Sequence, residues 1–314
     1  MKPQNFERKS ARIEKDFKSF RTENPAKIER EIDLSWSNWG FGQEPLEQSV
    51  KRLARYGVKF IELHGNRYGP DLGYKTKETR RILSDNGVRC AGVCGMFSAD
   101  NDLSSNRPHI RQRALDYIKR QLGLCQELAG TYLLVVPGAV GRPGALDAFE
   151  FDRSVESLRL VADEFVKSGI QAAIEPIRAA EVSFCHRIAD AIAYIEAVDS
   201  NGVRHINGDV YHMLAGEAHV GEAILKAGER LVNLHMADSN RCALGDGQLD
   251  LDAILRALVL IGYNAAGHYC TPEPLGPGGD PYPAMYGKTE PRLLDRLVEK
   301  TVRTFREREA AIKE

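Results

Sequence analysis

From residue 31 onward, short apolar runs alternate with amphipathic stretches. The runs fall at 32–35, 60–63, 90–93, 132–136, 171–174, 205–207, 231–234 and 266–270. Each has strand length, and their centres recur about every 33 residues, the size of one strand–helix–strand unit. The stretches between them carry helical periodicity. Leu46, Val50, Leu53 and Ala54 share one stripe within 45–56, and further helices are predicted over 77–86, 110–128, 154–168, 188–198 and 251–261. Gly57, Gly87, Gly169 and Gly262 stand where four of these should stop, as glycine does at helix ends. Eight strands alternating with helices predict a parallel sheet with helices outside it. Their even spacing favours closure over an open doubly wound sheet, giving an α/β fold, a (β/α)8 TIM barrel, over residues 31–314.

Residues 1–30 differ. They hold nine Lys/Arg against five Asp/Glu, with Phe6, Ile13, Phe17 and Phe20 on a narrow helical stripe. They are expected to form an N-terminal helical arm that packs on the barrel or on a neighbouring subunit. Left exposed, its apolar stripe would be a liability on a monomer, so a homo-oligomer is expected.

Composition narrows the setting. The chain has 314 residues, is 43% hydrophobic and 28% charged, and carries a net charge of -1. That balance excludes a disordered or low-complexity chain, and without a basic excess no nucleic-acid partner is expected. No apolar run is long enough for a membrane span, and the first twenty residues lack a signal-peptide core. The six cysteines, Cys90, Cys94, Cys125, Cys185, Cys242 and Cys270, do not make a disulfide scaffold in a chain this long. Free thiols in a reducing cytoplasm are expected.

In such a barrel the active site forms at the carboxyl ends of the strands. Four successive strands end in ionisable residues: Glu175 after the fifth, Asp209 after the sixth with His212 three residues on, His235 in the seventh, and Glu273 after the eighth. Bare carboxylates gathered in one mouth raise one another's pKa, a cost that a divalent cation removes. Three carboxylates and one imidazole suit a fairly hard ion, Mn²⁺, with Mg²⁺ or Co²⁺ as alternatives. Any one of these residues alone could be structural, and Glu175 has Arg178 nearby as an ordinary ion-pair partner.

Other residues gather at the same end. Glu62 and His64 close the second strand and are candidate substrate contacts. Asn240 and Arg241 follow the seventh strand and suit polar contacts to substrate hydroxyls. Trp36, Trp39 and Phe41 follow the first strand and offer an apolar wall for a sugar face, though core packing explains them equally well; Phe97 reads the same way. The glycine-rich GPGGDP at 276–281 lacks a P-loop lysine, and no GxGxxG or GxSxG is present.

The segments MFSADNDLSSN at 96–106, IEPIRAAE at 174–181, GDVYHM at 208–213, LHMADSNRCALGDGQLD at 234–250 and TPEP at 271–274 carry a resemblance. The chain resembles the sugar isomerase/epimerase superfamily of xylose isomerase-like barrels, and within it the D-tagatose/D-psicose 3-epimerase group, over about residues 31–310. The resemblance implies that Glu175, Asp209, His235 and Glu273 bind the metal, and that Glu175 and Glu273 also exchange the substrate proton. It implies that His212 and Arg241 contact substrate oxygens; Glu62, His64 and Trp39 are expected as further substrate contacts from their place at the same mouth. The chain departs from the group in its arm, in HGNRYGPDLGYK after the second strand, and in the proline-rich loop after Glu273.

The implied chemistry is removal of a proton next to the carbonyl of a keto-sugar. A metal on the carbonyl oxygen stabilises the enediolate, and a glutamate on each face can take one proton and return another. Returned to the same carbon, the proton gives an epimer; returned to the neighbouring carbon, an isomer. A β leaving group turns the same step into an elimination. The related large subunits of C-glycoside deglycosidases act that way on a 3-oxo-sugar bearing an aglycone, with a small β-rich partner subunit, and this lyase is the alternative expectation. Phosphodiester cleavage, as in endonuclease IV-type barrels, and passive sugar binding are weaker alternatives.

Overall fold

The computed structural model describes residues 4–65, 73–276, 279 and 290–314. The strands are β1 (Asp33–Leu34), β2 (Phe60–His64), β3 (Arg89–Cys94), β4 (Tyr132–Val135), β5 (Gln171–Ile174), β6 (His205–Asp209), β7 (Leu231–Met236) and β8 (Tyr269–Pro272). All pair in parallel, in the order β1-β8-β7-β6-β5-β4-β3-β2. The ring is closed just past β1, where Ser37 bridges Glu62 and the Glu62 N–H donates to the Trp36 carbonyl at 2.9 Å. The eight expected strands are therefore the eight strands of the (β/α)8 barrel.

Around them lie α1 (Gln4–Glu23), α2 (Pro25–Ile28), α3 (Leu46–Arg55), α4 (Thr76–Asp85), α5 (Pro108–Glu127), α6 (Glu150–Arg159), α7 (Ala162–Ser168), α8 (Ile188–Val198), α9 (Val210–Gly216), α10 (Val220–Ala227), α11 (Leu251–Leu260) and α12 (Pro291–Lys313). Gly169 caps α7 at φ 70° and Gly262 follows α11 at φ 75°, the left-handed turn for which glycine was read there. The expected helix over 154–168 is two helices, because Val161 leaves the helical region at ψ 3°. The turn carries the Ala162 carbonyl against Gly202, where an added Cβ would lie 2.0 Å from that oxygen.

Inside the barrel, Phe60, Ala91, Tyr132, Ala173, Val232 and Tyr269 form a small apolar cluster, one residue from each of six strands. The outward strand positions pack under the helices in the main core.

The arm is helical, but its stripe does not lie open. α1 packs on α10 and α11 of its own chain, with Ile13 fully buried and Phe17 1% exposed. Phe6 remains half exposed, with its ring 4.6 Å from that of His219. Polar contacts fix the docking. Lys9 and Arg12 pair with Glu222, and Ser10 donates to Asp250 at 2.9 Å while accepting from His219 Nε2 at 3.1 Å. α10 and α11 cover the two central residues of the stripe, which therefore give no ground for an oligomer.

Candidate active site

Strand alternation builds the site. Residues two apart on a strand face the same side, so β6 stacks Asp209 over Asn207 and β7 stacks His235 over Asn233. Glu273, just past β8, stands over Thr271. The parallel register puts Asp209 beside His235 and Asn207 beside Asn233. Glu175 follows β5, held by its N–H to the Val135 carbonyl at 3.0 Å.

These donors converge. His235 Nδ1 lies 3.4 Å from Glu175 Oε1 and 3.5 Å from Glu273 Oε2. Ligand atoms of Asp209, His235 and Glu273 lie within 4.8 Å of one another, as do those of Glu175, Asp209 and His212. All five side chains are buried. Asp209 is braced by the Tyr211 N–H at 2.8 Å and by His212 Nε2 at 3.2 Å, while His212 Nδ1 is buried with no partner among the described residues. Arg178 does not neutralise Glu175. It pairs with Glu181 at 2.6 Å and donates to the Tyr211 hydroxyl at 2.9 Å.

The electrostatics are those of crowded negative charge. Burial pushes the Glu273 carboxyl up to about 8; Asp209 and Glu175 push the same way, against His235 and Arg241. Burial alone would depress His235, but Glu62, Glu273 and Glu175 outweigh it and hold the ring well above its ordinary pKa. Without a cation the cluster thus retains protons, the condition that a divalent ion relieves.

Arg241 reaches the mouth. Its guanidinium lies 5.2 Å from the Trp39 ring, 4.3 Å from the Tyr211 ring, and 3.8 Å from Glu273 Oε1. A turn organised by buried Asp238, which accepts the N–H groups of Ser239, Gly245 and Leu249, sets Arg241 at φ 61°. Asn240 is spent within that turn, donating to the Asp246 carbonyl and accepting the Cys242 N–H. It shapes the loop rather than offering itself to a sugar.

Two further expectations change. Glu62 is not placed as the substrate contact expected from the sequence. Instead it is fully buried one layer below the mouth, with its carboxylate taken by His235 Nε2 at 2.9 and 3.0 Å, the Tyr132 hydroxyl at 2.8 Å and Asn233 Nδ2 at 3.2 Å. Of the aromatics after β1, Trp36 and Phe41 stack on each other in the core and only Trp39 meets the site. Phe97 is likewise a core residue, edge-on to Tyr117. His64 closes β2, buried, its backbone N–H donating to Asn38 Oδ1 at 2.7 Å. Cys94 lies with Glu62 and His235, but burial pushes its thiol well above the ordinary range, so it is a poor thiolate donor. Most of HGNRYGPDLGYK and of the proline-rich loop, including Pro277, Gly278, Pro281 and Pro283, lies outside the described residues.

Sequence reasoning missed the layer beneath the donors. Thr271 donates to Asn233 Oδ1 at 2.6 Å, Asn233 Nδ2 to Asn207 Oδ1 at 2.7 Å, and Asn207 Nδ2 to Glu175 Oε1 at 2.7 Å. The signal was present: each polar residue stands two positions before a strand-end donor, inside an otherwise apolar run. Tyr211, between Asp209 and His212, was also passed over.

The family described as xylose isomerase-like TIM barrel matches residues 50–288, and the chain belongs to that family. It is 27% identical over 225 residues to an L-ribulose 3-epimerase from Mesorhizobium japonicum, covering 70% of this chain and 73% of the relative. It is 27% identical over 226 residues to a D-psicose 3-epimerase from Ruminiclostridium cellulolyticum, covering 69% and 75%. A solved structure of L-ribulose 3-epimerase superposes with a TM-score of 0.78 at 21% identity, covering 90% of this chain and 96% of that one, which speaks for the shared fold.

Proposed function

We propose that this chain is a divalent-metal-dependent ketose 3-epimerase. The observation that carries the proposal is the gathering of Glu175, Asp209 and Glu273 around His235, in a family whose relatives include an L-ribulose and a D-psicose 3-epimerase. The residues fit an ion. Three buried carboxylates with one imidazole form an oxygen-rich donor set, and burial, reinforced by Asp209 and Glu175, raises Glu273, a cost that a bound cation offsets. Glu175, Asp209, His235 and Glu273 would hold it, and Mn²⁺ is our assignment, with Mg²⁺ or Co²⁺ suited to the same donors. Bound there, a divalent cation supplies Lewis acidity to the substrate's carbonyl oxygen.

The chain supplies the rest. Glu175 and Glu273 come from different strands and approach His235 Nδ1 separately, so one carboxylate takes the C3 proton and the other returns a proton to the opposite face. Nδ1 of His212, without a partner among the described residues, and the guanidinium of Arg241 are suited to substrate oxygens. Trp39, under that guanidinium, offers the apolar face that a sugar ring or chain packs on. His64, closing β2, is assigned to the rim of the same mouth.

The elimination alternative gains no support from the relatives named above, which are epimerases. A cytoplasmic setting is supported by six buried, unpaired cysteines. Among the described residues no helix is long and apolar enough to cross a membrane. The test is to incubate metal-loaded protein with D-fructose, D-tagatose and a 3-oxo-C-glucoside and follow products by NMR. Conversion of a free ketose to its C3 epimer is expected. Aglycone release with both ketoses untouched refutes the epimerase.

A further inference from the structure

We propose that Glu62 is a positioning residue that fixes which nitrogen of His235 faces the site. A neutral imidazole has one N–H and one lone pair, and the stronger acceptor nearby decides which nitrogen keeps the proton. Both Glu62 oxygens lie within 3.0 Å of Nε2, so Nε2 keeps it and Nδ1 presents its lone pair to the side of Glu175 and Glu273. The surroundings of Nδ1 agree. The Asn207 amide nitrogen lies 3.4 Å from it, a neutral donor, oriented because Asn207 Oδ1 already accepts from Asn233.

Glu62 is itself immobilised. It is fully buried, and the Tyr132 hydroxyl and Asn233 amide both donate to Oε2, so the carboxylate has no freedom to enter the mouth. Burial of an acceptor with three donors makes it rigid and keeps water from competing for Nε2. The same network runs through Asn207 to Glu175, which couples the ring's orientation to one of the proposed proton-transfer groups.

This inference rests on the metal reading of the site, and its test separates the two. The full-length protein, loaded with Mg²⁺, is examined by nitrogen NMR of the histidine rings, and Mn²⁺ affinity is measured by titration for wild type, Glu62→Gln and Glu62→Leu. The expected tautomer of His235 carries its proton on Nε2. Glu62→Leu is expected to weaken Mn²⁺ binding about 10–100-fold, the usual cost of losing such a partner. Glu62→Gln, which can still accept from Nε2, is expected to lose less. A purely structural role would lower thermal stability while leaving the Mn²⁺ affinity and the tautomer unchanged, and that result overturns the inference. If Glu62→Leu does not fold, a proton on Nδ1 in loaded wild type overturns it as well. Failure of wild type to bind either ion removes the metal reading and the inference with it.

Discussion

Replacing Glu273 with glutamine keeps the shape of the side chain and removes its charge and its basicity. The consequences follow from its neighbours. Oε1 faces Arg241 Nη2 at 3.8 Å and Oε2 faces His235 Nδ1 at 3.5 Å. The amide will keep its oxygen toward the guanidinium, since the reverse sets two donors face to face. Its NH₂ then points at Nδ1 and competes for the lone pair proposed to bind the ion. Mn²⁺ affinity should therefore fall, and activity must be measured with the ion at saturation. The loss that remains is that of one acid–base group, about 10²–10⁴-fold in turnover, or roughly 3–5 kcal/mol of barrier. Glu175 survives in this variant, so the C3 hydrogen of one epimer can still be removed and exchanged. The expected pattern in D₂O is exchange into only one of the two C3 epimers, with interconversion lost. Glu175→Gln should show the complementary pattern. Proton NMR of each purified ketose reads exchange and conversion in one experiment. Equal loss of exchange from both epimers at full metal occupancy would refute the two-base arrangement, and undiminished conversion would remove Glu273 from the chemistry.

Further outcomes follow from the same structure. Phe17→Ala should cost about 3–5 kcal/mol of stability, because it empties a buried site between α1 and the barrel helices; a clear drop in Tm with unchanged kcat/KM well below it is expected, and an unchanged Tm contradicts the docking of α1. His219 caps α10 by accepting the Glu222 N–H at 3.2 Å, and burial holds its pKa below the ordinary 6.5, with Glu222 and Asp250 pulling against Lys9 and Arg12. The folded state thus prefers the neutral ring, so this contribution is present above the unfolded pKa and is lost as pH falls from it toward the folded one. His219→Asn, a cap that does not titrate, should lose less Tm between about pH 7.5 and 5.5 than wild type does; an equal loss argues against the cap. Mn²⁺ at about 100 times its Kd should stabilise the protein by about 2.7 kcal/mol, reversibly with a chelator; no shift in Tm argues against a folded-state ion site.

What the sequence disclosed and what it concealed have physical reasons. Strands were legible because each is an apolar run closed by turn residues, and the four candidate donors because ionisable side chains end four successive runs, although any one alone could be structural. Depth within the barrel was not legible. Glu62 and His64 belong to one strand, and only the two-residue repeat shows that Glu62 lies a layer lower, where it meets His235 rather than a ligand. Asn207, Asn233 and Thr271 obey the same repeat. Trp36 and Trp39 look alike in sequence, yet the turn at 38–41 sends one into the core and leaves the other beneath Arg241. The arm's stripe was visible, but its cover, a surface made by α10 and α11, exists only once the barrel has formed.

The central claim is that the buried cluster, with a divalent ion, breaks and remakes the bond between C3 and its hydrogen. Wild-type protein, first stripped with a chelator and then reloaded with Mn²⁺, should be incubated in D₂O with a free ketose, either D-fructose or D-tagatose. Deuterium at C3 of both epimers is expected, appearing only after reloading. Epimer formed without deuterium at C3, or exchange undiminished in the stripped protein, would contradict it.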